Sequence, residues 1–189
     1  MNISAVLLAG GESQRMGKDK ATVLFEEKPL WQIQLDLLRR LEPAEIFVSA
    51  RTDPAWRPGD LQFVPDVPPS RGPLSGLAAS LDRIRGSHLI ALAIDMPFMS
   101  ENYLRYLCGQ IEPGVGVLPK VDDRAEPLAA IYPREASADF HSALAGADFS
   151  LQTLARVLVE TGKLREIFVT GQEEKLFLNL NQLSDLVAL

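Results

Sequence analysis

The chain has few of the residues that most often carry covalent or metal chemistry. Cys108 is its one cysteine among 189 residues. No disulfide can form within the chain, which fits a reducing, cytoplasmic setting. The two histidines, His88 and His141, lie far apart without ligand-like spacing, so both read as structural. No apolar run approaches the ~20 residues of a membrane span. The apolar start of the chain carries no basic residues ahead of it and reads as a strand rather than a secretion signal. Positive charge is scarce as well: the net charge is −6, whereas a general nucleic-acid binder would more often be basic. There is no low-complexity tract, no internal repeat and no linker long enough to mark a domain boundary. One domain is expected over 1–189, long enough to bury roughly 70% of its unfolded surface without staples.

Against that acidic background one stretch concentrates cations. Residues Leu7 to Lys20 read Leu-Leu-Ala-Gly-Gly-Glu-Ser-Gln-Arg-Met-Gly-Lys-Asp-Lys. An apolar run ends abruptly at Gly10 and Gly11, Gly17 follows, and Arg15, Lys18 and Lys20 fall within six positions. Such a segment exposes backbone N–H groups and focuses positive charge, which suits an anion and most often a phosphate chain. It is neither of the two commonest phosphate loops. Gly11 and Gly17 have five residues between them, and Lys18 is followed by Asp19, so the Walker A spacing and its Lys-Ser/Thr pair are absent. Gly10 and Gly11 are adjacent, so the dinucleotide G-x-G-x-x-G is absent too.

The rest of the chain alternates short β-branched runs with helical patterns. Strands are expected at Ile3–Leu8, Glu45–Ser49, Leu61–Val64 and His88–Ile94, the last a nearly continuous apolar run of the kind buried on both faces of a parallel sheet. Helices are expected at Pro29–Leu41, with Pro in the first turn, at Leu74–Ile84, and at Glu101–Ile111 with Ser100 as N-cap. After residue 112 the pattern loosens. Val115–Pro119 and Leu128–Tyr132 are expected to pair across a polar loop from Lys120 to Glu126. Helices follow near Glu135–Leu144 and Leu151–Thr161, strands at Ile167–Val169 and Leu176–Leu180, and a short helix at Gln182–Leu189. The alternation predicts a three-layer α/β fold, with a mostly parallel sheet and an antiparallel insertion in the C-terminal half.

Ligands of open parallel sheets bind at the carboxyl ends of the strands. The glycine loop, Asp66 and Asp95 all fall at such ends. A carboxylate ending a buried strand is costly unless paired or coordinated. Asp95 suits Mg²⁺, which typically takes one or two protein carboxylates plus substrate phosphates and water; a turn cap or an Arg partner is the alternative. Asn179 and Asn181, in Leu-Asn-Leu-Asn, would share one face of a strand, or Asn181 would cap the last helix. Trp31 reads as packing on a helix face, and Trp56 carries no readable signal.

Leu-Ala-Gly-Gly-x-Ser-x-Arg-Met-Gly-x-Asp-Lys resembles the opening signature of the molybdenum-cofactor guanylyltransferases, nucleotidyltransferases with a Rossmann-like fold. The likeness spans residues 3 to about 185, with its specific motifs mainly in the N-terminal half. It implies transfer of GMP from GTP to the phosphate of Mo-molybdopterin, with Mg²⁺ as cofactor and pyrophosphate as by-product. It also implies a nucleotide-binding half over about 1–110 and an acceptor half over about 111–189. Leu8, Ala9, Gly10 and Gly11 would contact the nucleotide through their backbone, Lys20 and Arg15 would neutralise phosphate charge, and Lys18 would be solvated. Asp-Met-Pro at Asp95 resembles the magnesium segment, and Asn181 a second ligand or water anchor. Asp66 and the Gly72-Pro73-Leu74-Ser75-Gly76 stretch resemble the wall beside the base and ribose. A carboxylate is apt there, since guanine presents N–H donors at N1 and N2. Where relatives can carry Asn as a nucleotide contact, this chain places Arg51. Glu126-Pro127-Leu128 lies in a region resembling the acceptor side.

A phosphate nucleophile is already ionised near neutral pH, so no general base is needed, and catalysis reduces to positioning and charge neutralisation. The nearest rival is the sister cytidylyltransferase, whose loop usually reads Leu-Ala-Ala-Gly where this chain has Leu-Ala-Gly-Gly. Weaker rivals are a sugar-phosphate nucleotidyltransferase and a non-catalytic nucleotide sensor or cofactor-delivery adaptor. Expected partners are the two substrates and, transiently, other cofactor-biosynthesis proteins and molybdoenzymes; neither nucleic acid nor a membrane is expected.

Overall fold

A computed structural model describes residues 2–10 and 19–180. Along the chain run β1 (Ile3–Leu8), β2 (Leu24–Phe25), β3 (Lys28–Pro29), α1 (Leu30–Arg40), β4 (Glu45–Ala50), β5 (Gln62–Pro65), α2 (Pro73–Leu81), β6 (His88–Ala93) and α3 (Glu101–Cys108). There follow β7 (Gly116–Val121), β8 (Arg124–Ala125), β9 (Ile131–Pro133), α4 (Ser137–Ala145), α5 (Leu151–Glu160) and β10 (Leu164–Phe168). The main sheet has the order β10-β7-β9-β6-β1-β4-β5, with β8 attached to β7. β9 runs antiparallel to both β6 and β7. β5, β4, β1 and β6 are mutually parallel, as are β7 and β10. This is the expected mostly parallel sheet with its antiparallel insertion in the C-terminal half.

All six residues of β1 and all six of β6 are buried, as strands covered on both faces must be. The pleat sorts them into two layers. Ile3, Ala5 and Leu7 pack with Leu35 and Leu38 of α1 and Leu104 and Leu107 of α3. Val6 and Leu8 face the other way, onto Leu74, Leu77 and Ala78 of α2 and Leu154 and Leu158 of α5. Helices therefore cover both faces of one sheet. Ser100 caps α3 as expected, accepting from Tyr103 N–H at 3.2 Å. His88 is buried in β6, its Nε2 3.2 Å from Val115 O, a structural role. Cys108 is buried, and burial pushes its thiol pKa up to about 11.

The polar loop expected from Lys120 to Glu126 is itself a tight hairpin, with Lys120 paired to Ala125 and Val121 to Arg124, and two further features depart from the sequence reading. Leu176–Leu180 is not a strand: Glu174–Phe177 forms a 3-10 turn and extended chain follows. Its apolar residues answer to packing rather than pairing, since Phe177 is buried and meets Tyr103 edge-on at 5.4 Å. Asn179 therefore lies outside any strand, and Asn181 lies outside the described residues. The hairpin β2–β3 was not expected. Its two turn residues, Glu26 and Glu27, have φ of 48° and 67°, the conformation normally signalled by Asn-Gly or Asp-Gly. The helix expected at Gln182–Leu189 lies outside the described residues.

Candidate active site

The sheet order reverses between β1 and β6, because the chain leaves β1 towards β4 and β5 and returns on the other side at β6. Such a switch point opens a crevice at the carboxyl ends of the strands. Ile94 N–H donates to Leu8 O at 3.1 Å and Ala9 N–H to Ser49 O at 2.8 Å. Those bonds keep the three strand ends level, so Gly10, Asp95 and the end of β4 emerge side by side.

Asp95 is the first polar side chain beyond β6, and its backbone is pinned from two sides. Leu180 N–H donates to Asp95 O at 2.9 Å, and the fully buried Gln34 donates through Nε2 to Met96 O at 2.6 Å. Lys20 reaches across the crevice, its Nζ 2.7 Å from Asp95 Oδ2. The two side chains keep 19% and 23% of their exposure, so neither charge is locked in a dry interior and the pair is open to exchange with incoming ions. Lys20 opens a 3-10 turn, Lys20–Thr22, capped by Asp19 and anchored by buried Ala21. Asp19 uses both carboxylate oxygens: Oδ1 accepts from Ala21 N–H at 3.0 Å and Oδ2 from Trp56 Nε1–H at 2.9 Å. Trp56 stacks on Trp31 of α1 with centroids 5.6 Å apart and planes at 14°. The loop that carries Trp56 is itself stapled, Arg57 gripping both oxygens of Asp53 at 2.7 Å and holding that carboxyl below its usual pKa through the hydrogen bonds. A tryptophan with no signal in the sequence thus ties the lysine turn to the β4–β5 loop.

A second wall lies beyond β4 and β5. Asp66 follows β5, its N–H donating to Ala50 O at 3.2 Å. Its Oδ2 accepts from Ser70 Oγ at 2.6 Å, and Ser70 Oγ accepts from Arg51 Nε at 3.3 Å. Gly76, in the first half of α2, has no room for a side chain. A Cβ there would lie 2.6 Å from Ser49 Oγ and 3.3 Å from both Asp66 Oδ1 and Leu8 Cδ2. A Cβ on Gly10 would lie 3.9 Å from either oxygen of Asp66. The carboxylate is therefore bracketed by two residues without side chains. Gly72, just before α2, has φ of +64°, a conformation glycine adopts without strain.

Leu8, Ala9, Gly10, Lys20, Asp66, Gly76 and Asp95 are thereby gathered along one edge, with Arg51 at its rim. Gly11, Arg15, Lys18 and Asn181 lie outside the described residues. Asp19, Trp56, Ser70 and Gln34 were not singled out from the sequence, because their partners are 20 or more residues away or sit in an irregular loop. Among the described residues no three His, Cys, Asp or Glu side chains gather into a metal cluster. The donors on hand are one carboxylate, Asp95, and, one residue before the Leu180 that bonds it, Asn179, whose Oδ1 is buried without a hydrogen-bond partner. One carboxylate at the strand ends of an open crevice fits the habit of Mg²⁺.

In the C-terminal half a cleft of about 510 Å³ is lined by Asp122, Asp123, Arg124, Glu126, Glu174 and Leu178 among others; Leu178 lies two residues before the Leu180 that bonds Asp95. Burial raises the pKa of Glu126, with Arg124 opposing. Lys120 stands aside, paired with Glu166 at 3.1 Å. His141 pairs with Asp82 on the surface at 2.8 Å. No helix among the described residues is long and apolar enough to cross a membrane.

The MobA-like NTP transferase domain profile matches residues 5–169. A probable molybdenum cofactor guanylyltransferase of Opitutus terrae is 32% identical over 97% of this chain and 92% of its own length. A protein of the same description from Clostridium perfringens is 35% identical, the match covering 68% of this chain and 65% of the relative. Among solved structures, molybdopterin-guanine dinucleotide biosynthesis protein A from Archaeoglobus fulgidus superposes with a TM-score of 0.75 over 98% of this chain and 95% of its own, at 24% identity, a likeness of fold. The chain is a nucleotidyltransferase of the MobA-like NTP transferase family.

Proposed function

We propose that this protein transfers the guanylyl group of GTP to the phosphate of Mo-molybdopterin, releasing pyrophosphate, and that it does so in the cytoplasm. The observation that carries this reading is the Lys20–Asp95 pair at the switch point, a cation and a carboxylate side by side where the phosphate loop leaves β1. In the free protein each neutralises the other. With substrate, Lys20 would turn to the triphosphate, and Asp95 would hold Mg²⁺ together with Asn179 or Asn181. The bound ion would supply charge neutralisation at the α-phosphate.

An oxygen of the acceptor phosphate attacks the α-phosphorus, forming one P–O bond while the bond to the β-phosphate bridging oxygen breaks. The electron pair leaves on pyrophosphate. The acceptor is largely dianionic near pH 7, since the second pKa of a phosphate monoester is about 6, so no residue need remove a proton. Lys20, held on its capped turn, and Arg15 offset the charge that builds on the departing pyrophosphate. The backbone of Leu8, Ala9 and Gly10 lies along the nucleotide, whose base extends over β4 and β5 towards Asp66 and Gly76.

The test is pyrophosphate release in the presence of molybdopterin, Mg²⁺ and each nucleoside triphosphate in turn. Release with GTP is expected. Release with CTP and not GTP would replace the base assignment, and binding without release from any of them would leave a sensor or delivery adaptor.

A further inference from the structure

Arg51, Ser70 and Asp66 form a hydrogen-bonded chain with a fixed direction. An Arg side chain has donors and no acceptor. When Arg51 Nε donates to Ser70 Oγ at 3.3 Å, the serine oxygen is the acceptor, and its own hydrogen is left for Asp66 Oδ2, 2.6 Å away. The latter bond joins a hydroxyl to a carboxylate at the short, charge-assisted distance. The result is a carboxylate whose plane is set and whose remaining lone pairs can only accept. It lies against the backbone of Gly10 and Gly76, where a Cβ would come within 3.9 Å and 3.3 Å of its oxygens. Ser49 Oγ, buried and without a hydrogen-bond partner, faces the same point from below.

We propose that Ser70 is a positioning residue, aligned by Arg51, that orients Asp66 to accept two parallel N–H donors from the edge of a base and so sets the nucleotide preference of the site. The proposal rests on the guanylyl-transfer reading for the base that is bound, and it gives Arg51 a role through Ser70 instead of on the nucleotide. An aligned carboxylate matches the adjacent N1–H and 2-amino donors of guanine. It gains one donor from hypoxanthine, which lacks the amino group, and it faces ring acceptors on cytosine. A site built to satisfy a donor pair discriminates strongly against an analogue that lacks one.

The experiment compares GTP with ITP on the full-length protein, measuring both dissociation constants by competition with a fluorescent guanine nucleotide and, with acceptor present, kcat and KM. Ser70→Ala is expected to raise Kd and KM for GTP about tenfold, the scale of a lost charge-assisted hydrogen bond, with kcat changed less than about twofold. ITP should weaken much less, so that the GTP-to-ITP preference shrinks. Ser70→Thr, which keeps the hydroxyl, restores the preference, and Arg51→Gln gives a smaller loss of the same kind. Equal weakening of both nucleotides, no weakening, or a fall in kcat at constant KM would overturn the positioning role. A wild-type protein that binds GTP over ITP yet releases no pyrophosphate would overturn the transfer reading alone, and the binding ratio of Ser70→Ala would still decide the role of Ser70.

Discussion

The two halves of the molecule use the same sheet in opposite ways. From β1 to α3 the strands of the main sheet are parallel, the side chains at their carboxyl ends converge, and the polar groups are held by named partners: Lys20 by Asp95, Asp19 by Trp56, Asp66 by Ser70. From β7 onward β9 runs backwards between its neighbours, and the 510 Å³ cleft is lined by Asp122, Asp123, Glu126 and Glu174 against Arg124 alone among cations. One half gathers a cation at a strand end, as an anionic substrate requires. The other presents negative charge, which would repel a phosphate and favour an uncharged, donor-rich group. The difference supports the proposal that the phosphate chemistry takes place at the switch point.

The sharpest way to break that comparison is to remove charge from the switch point. Asp95→Ala should lower pyrophosphate release by about a thousandfold, in the range seen when a group stabilising the transition state is lost, with an unchanged circular dichroism spectrum. Lys20→Ala should cost about a hundredfold under the same principle. Because Lys20 and Asp95 also hold each other, the double variant should lose less than the product of the single losses. Retained turnover with unchanged Mg²⁺ dependence in Asp95→Ala would move the chemistry out of this half altogether.

Gly76→Ala tests the packing around Asp66 instead of the charge. In an exposed helix the change would stabilise by about 1 kcal/mol. Here the added carbon meets Ser49 Oγ at 2.6 Å and both Asp66 Oδ1 and Leu8 Cδ2 at 3.3 Å, and overpacking of that kind costs about 1–3 kcal/mol. Chemical denaturation should therefore show a net stability change of at most about 2 kcal/mol, while GTP affinity falls about tenfold as Asp66 is pushed off its alignment. A milder loss, about threefold in KM for GTP, is expected from Trp56→Phe, which keeps the stack on Trp31 and removes one hydrogen bond to Asp19. The chain has only these two tryptophans, so GTP binding should change its intrinsic fluorescence in the wild type and less in the variant.

How much of this was legible in the sequence follows from the length scale of each interaction. β1 and β6 were readable because a strand buried on both faces must be apolar throughout, and Gly10 and Asp95 because each breaks such a run. The wall at Asp66 and Gly76 was located by resemblance, but its working parts were not. Ser70 is an ordinary serine in a proline-rich loop until Arg51, 19 residues away, lies against it. The Glu26-Glu27 turn was hidden because its residue types do not advertise a positive φ. Leu176–Leu180 misled because alternating apolar residues around a 3-10 turn imitate the period of a strand. Local patterns predict local structure; the site is made of bonds between segments that no local window contains.

The smallest effect concerns the other half, and its sign separates burial from catalysis. Glu126 is buried at the edge of the acidic cleft, and desolvation raises its pKa above the usual 4.5, with Arg124 only partly opposing. A carboxyl whose pKa is higher in the folded state binds its proton more tightly there than in the unfolded chain. The stability it contributes is present below the unfolded pKa and is lost as pH rises through the folded one. Wild-type protein should thus lose thermal stability, from this group, as pH climbs upward from about 4.5. Glu126→Gln, neutral at every pH, should flatten that part of the profile and melt a few degrees higher near neutrality at most. It should leave the dissociation constant for GTP unchanged, because Glu126 lines the acidic cleft and its ion pair runs to Arg124. A melting profile that keeps its slope in Glu126→Gln would assign the pH dependence to other groups, and a loss of GTP affinity would erase the division between the halves.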